Sequence, residues 1–261
     1  MRIAIIGAGN MGGSIARGLA AKELAEVCVA NPSIPKLNAI RTDYPQIETY
    51  TDNKSAIFGA DIVILAVKPW LVPTVINEIK PVLDYERQLI ASVAAGISSD
   101  DIAEMLSKDG TEPAIYCIIP NTAIRNCESM TFITARNSTS VLDAKILEIF
   151  NALGHSLLIE ERLMGAGTAL ASCGIAYVLR YIRAMEEGGV QLGFYPADAR
   201  RIVMQTMLGA VSLLKNGVSH PEIEIDKVTT PGGMTIKGLN AMEAAGFTNA
   251  VISGLLSSLK K

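Results

Sequence analysis

The chain has 261 residues, 49% of them apolar and 19% charged, with a net charge of -3. That length can bury a substantial core, and the composition excludes a disordered chain. Acids and bases are interspersed, which leaves none of the basic patches that a nucleic-acid partner requires.

Met1 is followed almost at once by an apolar run, with no basic segment leading to a long apolar stretch and a cleavage site. The expectation is a cytoplasmic chain without a signal peptide. Candidate strands follow at Arg2–Ile6, Val27–Ala30, Asp61–Val67, Gln88–Ser92, Ala114–Ile118, Thr131–Thr134 and Leu157–Glu160. Several are continuous apolar runs, the pattern of strands covered on both faces. Helix-like segments such as Met11–Lys22 and Val141–Ala152 lie between them. The alternation predicts a doubly wound α/β sheet over residues 1–160.

From Leu163 the strand signals stop. The uncharged run Leu163 to Leu179 mixes Gly, Ala, Ser, Thr and Cys with Leu and Val, and Gly165, Ala169 and Cys173 share one helical face. This reads as a buried helix–helix contact rather than a membrane span, which needs about 20 strongly apolar residues. Pro196 and Asp198 mark a helix start and Asn216-Gly217 its end. Ser219 and Glu222 have capping-box spacing, which puts His220 in a first turn, and Thr248 is expected to cap a last helix. The tail, 161–261, is therefore all helical. One small bundle cannot cover so many apolar helices, so a homodimer through this part is expected.

Gly7-Ala8-Gly9-Asn10-Met11-Gly12 follows the first strand and opens a helix, the setting in which G-x-G-x-x-G binds a dinucleotide. Gly7 permits the tight turn, Gly9 lets backbone approach a pyrophosphate, and Gly12 lets helix pack on strand. At the end of the second strand, Asn31-Pro32-Ser33 stands where a carboxylate would favour NADH. Ser33 and Lys36 can meet a phosphate there. The reading favours NADPH, with NADH or use of both as the alternative.

Thr229-Thr230-Pro231-Gly232-Gly233-Met234-Thr235 is a glycine loop feeding a helix expected over Thr235 to Ala245 and stopped by Gly246. Such a helix start seats a carboxylate, and Thr235 places a hydroxyl beside it. The alternative is a tight turn whose Thr merely caps the helix.

Gly9-Asn10-Met11-Gly12, Ala66-Val67-Lys68-Pro69, Ala94-Ala95-Gly96-Ile97, Pro120-Asn121-Thr122, Gly188-Gly189-Val190 and Thr230-Pro231-Gly232-Gly233-Met234-Thr235 occur in this order. Together they resemble pyrroline-5-carboxylate reductase over nearly the whole chain. The resemblance implies a Rossmann-like domain, then an all-helical dimerisation and substrate-binding domain whose helices interlock between two subunits. In several members the dimers assemble into rings. It implies reduction of 1-pyrroline-5-carboxylate to L-proline, the last step of proline biosynthesis. Thr235 would hydrogen-bond the imine nitrogen, and the Thr230 region, Gly232, Gly233, Met234 and Thr235 would hold the substrate carboxylate. The cofactor would lie along Gly7, Ala8, Gly9, Asn10, Met11, Gly12, Asn31, Ser33, Asn53, Ala66, Val67, Lys68, Pro69, Ala94 and Gly96, with Asn121 towards its nicotinamide. The chain departs from the family pattern at Tyr116–Ile119, at Thr122–Arg125, at Ile175 and at Asn31-Pro32.

Other residues read more plainly. Cys28, Cys117, Cys127 and Cys173 lack C-x-x-C spacing and a paired His, so they are expected to be buried thiols. No metal site is expected. Trp70 reads as a packing residue, and Glu160-Glu161 and Glu186-Glu187 as solvated ends. A β-hydroxyacid dehydrogenase would need a Lys in the helix after the dinucleotide domain, and Leu163 to Glu187 has none. A non-catalytic dinucleotide sensor would keep Gly7–Gly12 but would not need the Thr235 loop.

Overall fold

The computed structural model describes residues 1–215, 217 and 219–259. Asn216, expected at the end of the helix begun at Pro196, lies outside the described residues. The chain forms two compact units, Met1–Ser172 and Cys173–Lys261.

The first unit holds β1 (Arg2–Ile6), α1 (Asn10–Ala21), β2 (Glu26–Ala30), α2 (Ile34–Asp43), β3 (Glu48–Tyr50), α3 (Asn53–Ile57), β4 (Ile62–Leu65), α4 (Val72–Ile79), β5 (Leu89–Ser92), α5 (Ser99–Leu106), β6 (Ile115–Ile119), β7 (Ser129–Arg136), α6 (Ser140–Asn151), β8 (Gly154–Leu158) and α7 (Met164–Gly167). The eight strands form one sheet in the order β3-β2-β1-β4-β5-β6-β7-β8. Every neighbouring pair is parallel except β6 and β7. The doubly wound sheet is thus as expected.

The continuous apolar strands have a simple origin. Ile3 and Ile5 point to one face and join a core with Ile15 and Leu19 of α1 and Phe150 of α6. Ala4 and Ile6 point to the other and join Val72, Ile76 and Ile79 of α4 and Ile102 of α5. Both faces are covered, so alternation disappears and each fully buried aliphatic side chain contributes roughly 1.5–3 kcal/mol.

Two strands differ from expectation. The three-residue β3 has no apolar run, because it is a half-exposed edge. β8 starts at Gly154 rather than Leu157, with Gly154 in register with Ser129. Gly154 has φ +140, and a Cβ there would lie 2.2 Å from the Ser129 carbonyl oxygen. Its exposed positions hide the strand from an apolar scan.

A six-residue π-helix, Thr168–Cys173, follows α7 within the run Leu163 to Leu179 and changes the helical period along the face expected to carry Gly165, Ala169 and Cys173. The second unit contains α8 (Gly174–Gln191), α9 (Pro196–Leu214), α10 (Pro221–Val228), α11 (Met234–Ala244) and α12 (Phe247–Ser257). α8 and α9 pack closely, with the position of a Gly189 Cβ only 3.0 Å from the Ala199 Cβ. Glu186 lies against both helices and pairs with Arg200 at 3.2 Å and Arg183 at 3.6 Å. It is buried, not the solvated end expected. The stretch Glu161–Gln191 is long and apolar enough to cross a membrane by length and composition, and little of it is buried within the chain.

Two caps differ as well. His220 is itself the N-cap of α10, its Nδ1 accepting the Glu222 N–H at 3.3 Å, and Pro221 opens the helix. The Ser219 hydroxyl instead donates to the Glu224 carboxylate. Gly246, at φ +82, precedes α12, and the Thr248 hydroxyl donates to Glu243 at 2.7 Å.

Candidate active site

β1 delivers the chain into the glycine loop at the carboxyl edge of the sheet. Gly7 has φ +112, and a Cβ on it would lie 2.5 Å from the Ala66 carbonyl oxygen. A Cβ on Gly12 would lie 2.0 Å from the Gly7 carbonyl oxygen. Both positions therefore exclude any side chain. Gly9 differs, because a Cβ there would meet nothing within 4 Å. It is the N-cap of α1, with no side-chain cap and no acidic residue in the first turn. The first amides of α1 thus present uncapped donors over open space, which fits a pyrophosphate. The Asn31 Oδ1 accepts the Ala8 N–H at 3.2 Å and ties the loop to the end of β2.

A cleft of about 570 Å³ opens beside this loop. Of the residues expected to hold the cofactor, Gly9, Asn10, Met11, Asn31, Ala66, Val67, Lys68, Pro69 and Ala94 line it, together with Lys36, Leu71, Val93 and Ala95. Gly7 and Gly12 lie behind it as packing glycines. Ala8 faces a second cleft of about 560 Å³, which shares Gly9, Asn10, Met11 and Lys36 and adds Ser14, Arg17, Ala39, Ile40, Thr122, Ile124 and Arg125. No carboxylate lines either cleft. Ser33 is the N-cap of α2, and its side chain makes no cap bond.

Three expected cofactor residues are placed otherwise. Gly96, at φ +83, is exposed in the loop after β5. The Asn53 amide donates to Glu78 at 2.8 Å. Asn121 is buried; its Oδ1 accepts the Ala123 N–H at 3.0 Å and its Nδ2 donates to the Ala171 carbonyl in the π-helix at 3.3 Å. Its side chain is thereby committed to backbone groups.

Several plainer readings change. Trp70 is 72% exposed and packs in neither core. Glu161 caps α5, accepting the Ser99 N–H at 2.9 Å and the Ser99 hydroxyl at 2.5 Å. Cys28 and Cys117 are buried, and burial pushes their thiols up to about 11 and about 12 respectively. Cys127 and Cys173 are only half-buried. Among the described residues, no group of His, Cys, Asp and Glu could hold a metal ion.

The second unit carries the threonine loop. Pro231 and Gly232 occupy its centre, Gly232 at φ +70, and the Gly233 N–H closes it onto the Thr230 carbonyl at 2.9 Å. Pro then Gly with positive φ is the signature of a type II turn. Gly233 has its Cβ position 2.5 Å from the Thr230 Oγ1, so a side chain there would displace that hydroxyl. Gly233 is also the N-cap of α11, again with no side-chain cap and no acid in the first turn. Thr229 and Thr235 contrast. The Thr229 hydroxyl donates back to the Ile225 and Asp226 carbonyls, both at 3.1 Å, which leaves it a structural role. Thr235 is exposed at the second position of α11, and its hydroxyl has no hydrogen-bond partner among the described residues. Uncapped amides and a free hydroxyl thus lie side by side, a seat for a carboxylate with a polar neighbour. The Met234 side chain is 90% exposed and adds nothing to the seat.

The arrangement can be compared with known proteins. The family model described as pyrroline-5-carboxylate reductase dimerisation matches residues 161–261, and one described as NADP oxidoreductase coenzyme F420-dependent matches residues 2–96. Pyrroline-5-carboxylate reductase 2 of Dictyostelium discoideum is 37% identical over 99% of this chain and 91% of its own length. Pyrroline-5-carboxylate reductase 1 of the same organism is 38% identical over 99% of this chain, which spans about half of that protein, 49%. The crystal structure of Plasmodium falciparum pyrroline carboxylate reductase with NADP bound superposes with a TM-score of 0.85, at 26% identity, over 99% of this chain and 95% of that one.

Proposed function

The chain belongs to the pyrroline-5-carboxylate reductase family, and from that premise we propose that it reduces 1-pyrroline-5-carboxylate to L-proline with NADPH. The observation that carries this reading is the free Thr235 hydroxyl beside the uncapped start of α11. A dinucleotide sensor has no need of such a seat, and an alcohol dehydrogenase would need a proton-donating Lys in α8, where there is none.

The substrate is a cyclic imine with a carboxylate, and each group has a partner in the loop. The amides of Met234 and Thr235, with the Gly232-Gly233 turn and Thr230, hold the carboxylate, assisted by the positive end of the α11 dipole. The Thr235 hydroxyl meets the ring nitrogen. The imine enters protonated, so its N–H⁺ donates to the Thr235 oxygen and no strong acid is required of the protein. A bound nicotinamide would supply the hydride that turns the protonated imine into the neutral secondary amine of proline. Thr235 and the amides fix where that carbon lies, and positioning is the larger part of the catalysis.

The cofactor is assigned to the uncapped start of α1 and the 570 Å³ cleft. Gly7, Gly9 and Gly12 shape the loop, Asn10 and Met11 give amides, and Asn31, Ser33, Ala66–Pro69 and Ala94 line the nucleotide. Asn53, Gly96 and Asn121 belong at its margin. The dinucleotide domain is taken as 1–160 and the helical domain as 161–261. The exposed apolar side chains of the helices pair two copies, and dimers assemble into a ring. The enzyme works in the cytoplasm.

The test is turnover. Purified protein given 1-pyrroline-5-carboxylate and NADPH is expected to consume reduced nicotinamide and form proline in equal amounts. Folded protein that binds NADPH without turnover would support the sensor instead.

A further inference from the structure

We propose that Glu161 is a positioning residue: by binding Ser99 it holds the loop between β5 and α5 in place for the nicotinamide end of the cofactor. The proposal rests on the reading that the cleft beside the glycine loop takes the dinucleotide.

The cleft is lined by residues that follow four strands: Gly9 to Met11 after β1, Asn31 after β2, Ala66 to Pro69 after β4, and Val93 to Ala95 after β5. In the sheet order β5 lies at the opposite end of this row from β2. Adenosine sits at the end of the second strand in this architecture, so a dinucleotide laid across the row brings its nicotinamide to the β5 loop. That loop does little to hold itself. The Ala94 N–H donates to the Ser92 hydroxyl at 3.3 Å, but the amides of Ala95, Gly96 and Ile97 have no hydrogen-bond partner among the described residues. Ala95 and Gly96 are exposed, and Gly96 has φ +83 with open space at its Cβ position.

The far end of the loop is fixed where it enters α5. Ile97 packs at the margin of the second core, and the Cys117 thiol donates weakly to its carbonyl at 3.9 Å. α5 then begins at Ser99, which is buried. Glu161, 62 residues away in sequence, takes both donors of that residue. Its Oε1 accepts the Ser99 N–H at 2.9 Å and its Oε2 accepts the Ser99 hydroxyl at 2.5 Å. A bidentate, charge-assisted contact sets orientation as well as distance. The other links at this helix start are weaker. Ser98 and Asp101 bond to each other, within the first turn of α5 itself. Arg136 pairs with Asp100, whose side chain is 81% exposed, and exposed pairs contribute little. Glu161 is thus the tie that anchors the start of α5, and the loop leading into it, to the segment after β8. Hydride transfer is sensitive to such anchoring, because a misplacement of about 1 Å from a distant change can cost on the order of a hundredfold.

The test separates the two ends of the cofactor. NADPH and adenosine 2′,5′-bisphosphate, which lacks the nicotinamide, are titrated by calorimetry against wild type, Glu161→Ala, Glu161→Gln, Ser99→Ala and Tyr85→Phe, and kcat is measured for each. Glu161→Ala is expected to weaken NADPH by about fivefold, to lower kcat by about tenfold and to leave the bisphosphate within about twofold, because only the nicotinamide end meets the loop. Glu161→Gln keeps an acceptor for the Ser99 N–H and a polar partner for its hydroxyl, and should restore both values to within about twofold of wild type. Ser99→Ala keeps the backbone bond and should show the same pattern at about threefold; it decides the case if Glu161→Ala does not fold. Tyr85→Phe removes the hydroxyl that donates to the Leu106 carbonyl at the other end of α5, and should lower Tm while moving neither NADPH affinity nor kcat. Equal losses of both ligands in Glu161→Ala, no loss of either, or a matching fall of kcat in Tyr85→Phe would overturn the proposal. If wild type does not bind NADPH, the cofactor reading itself fails and the role of Glu161 falls with it.

Discussion

The two units of the chain bury their apolar side chains very differently. In the sheet unit both faces of β1, β4 and β5 are covered, and β4 has no solvent exposure along its whole length. In the helical unit the buried hydrophobic residues among those described are Ala199 and Val203, while Leu179, Leu208, Val211, Leu213, Ile252 and Leu256 are about half exposed or more. The apolar content is similar but its destination is not. The sheet unit completes its core from its own sequence, whereas the helices leave an apolar surface exposed, the face proposed above to pair two copies.

The difference can be broken at its strongest point. Leu208→Asp with Val211→Asp places two charges on the exposed apolar face of α9. The dimer dissociation constant should rise by about 10³-fold, the range of two interface anchors, as read by light scattering against concentration. A dimer that survives the double substitution would mean that this face is not the interface. Ile64→Ala probes the other unit. It should cost about 3 kcal/mol in chemical denaturation by leaving a cavity in a closed core, and the loss should not depend on protein concentration.

Thr235→Ala sharpens the contrast between structure and chemistry within the helical unit. It should lower kcat/KM by about a hundredfold while NADPH affinity and thermal stability stay put, because the hydroxyl holds nothing in the fold. The smallest effect belongs to Asp61 in the sheet unit. The Arg2 N–H donates to its carboxylate at 2.8 Å and holds its pKa below the usual carboxylate range. A depressed folded pKa contributes stability that is full above the unfolded value of about 3.9 and is lost as pH falls through the folded one. Asp61→Asn should therefore lower Tm by about a degree or two at pH 7 and by less at pH 3, by calorimetry.

What the sequence disclosed follows the same division. The glycine loop was legible because each glycine answers a separate steric demand, two against backbone oxygen and one against open space. The threonine loop was legible because Pro231 and Gly232 fix a turn locally. The parallel strands showed as unbroken apolar runs. Contacts between distant residues left no such trace. Glu161 gives no sign that its partner is Ser99, nor Glu186 that Arg200 and Arg183 will enclose it. The Asn121 amide reaches a carbonyl of a π-helix that no periodicity announced. His220 replaced an expected serine cap because Pro221 fixes the first helical position, and an imidazole nitrogen accepts from Glu222 as an oxygen would. Trp70 failed in the opposite sense, since aromatic character alone says nothing about which side of a short turn faces water.

The tether between Ala8 and Asn31 bears on how such a protein can change over generations. It is the oxygen of the Asn31 amide, not its nitrogen, that receives the loop N–H. Aspartate offers the same oxygen in the same place. A single-base change in the Asn31 codon would exchange the amide nitrogen for a charged oxygen, leave the loop anchored, and set a negative charge against a ribose phosphate. On the cofactor reading proposed above, the shape of the nucleotide loop and its choice of nucleotide are therefore separately heritable, and lineages can drift between reductant pools without rebuilding the fold.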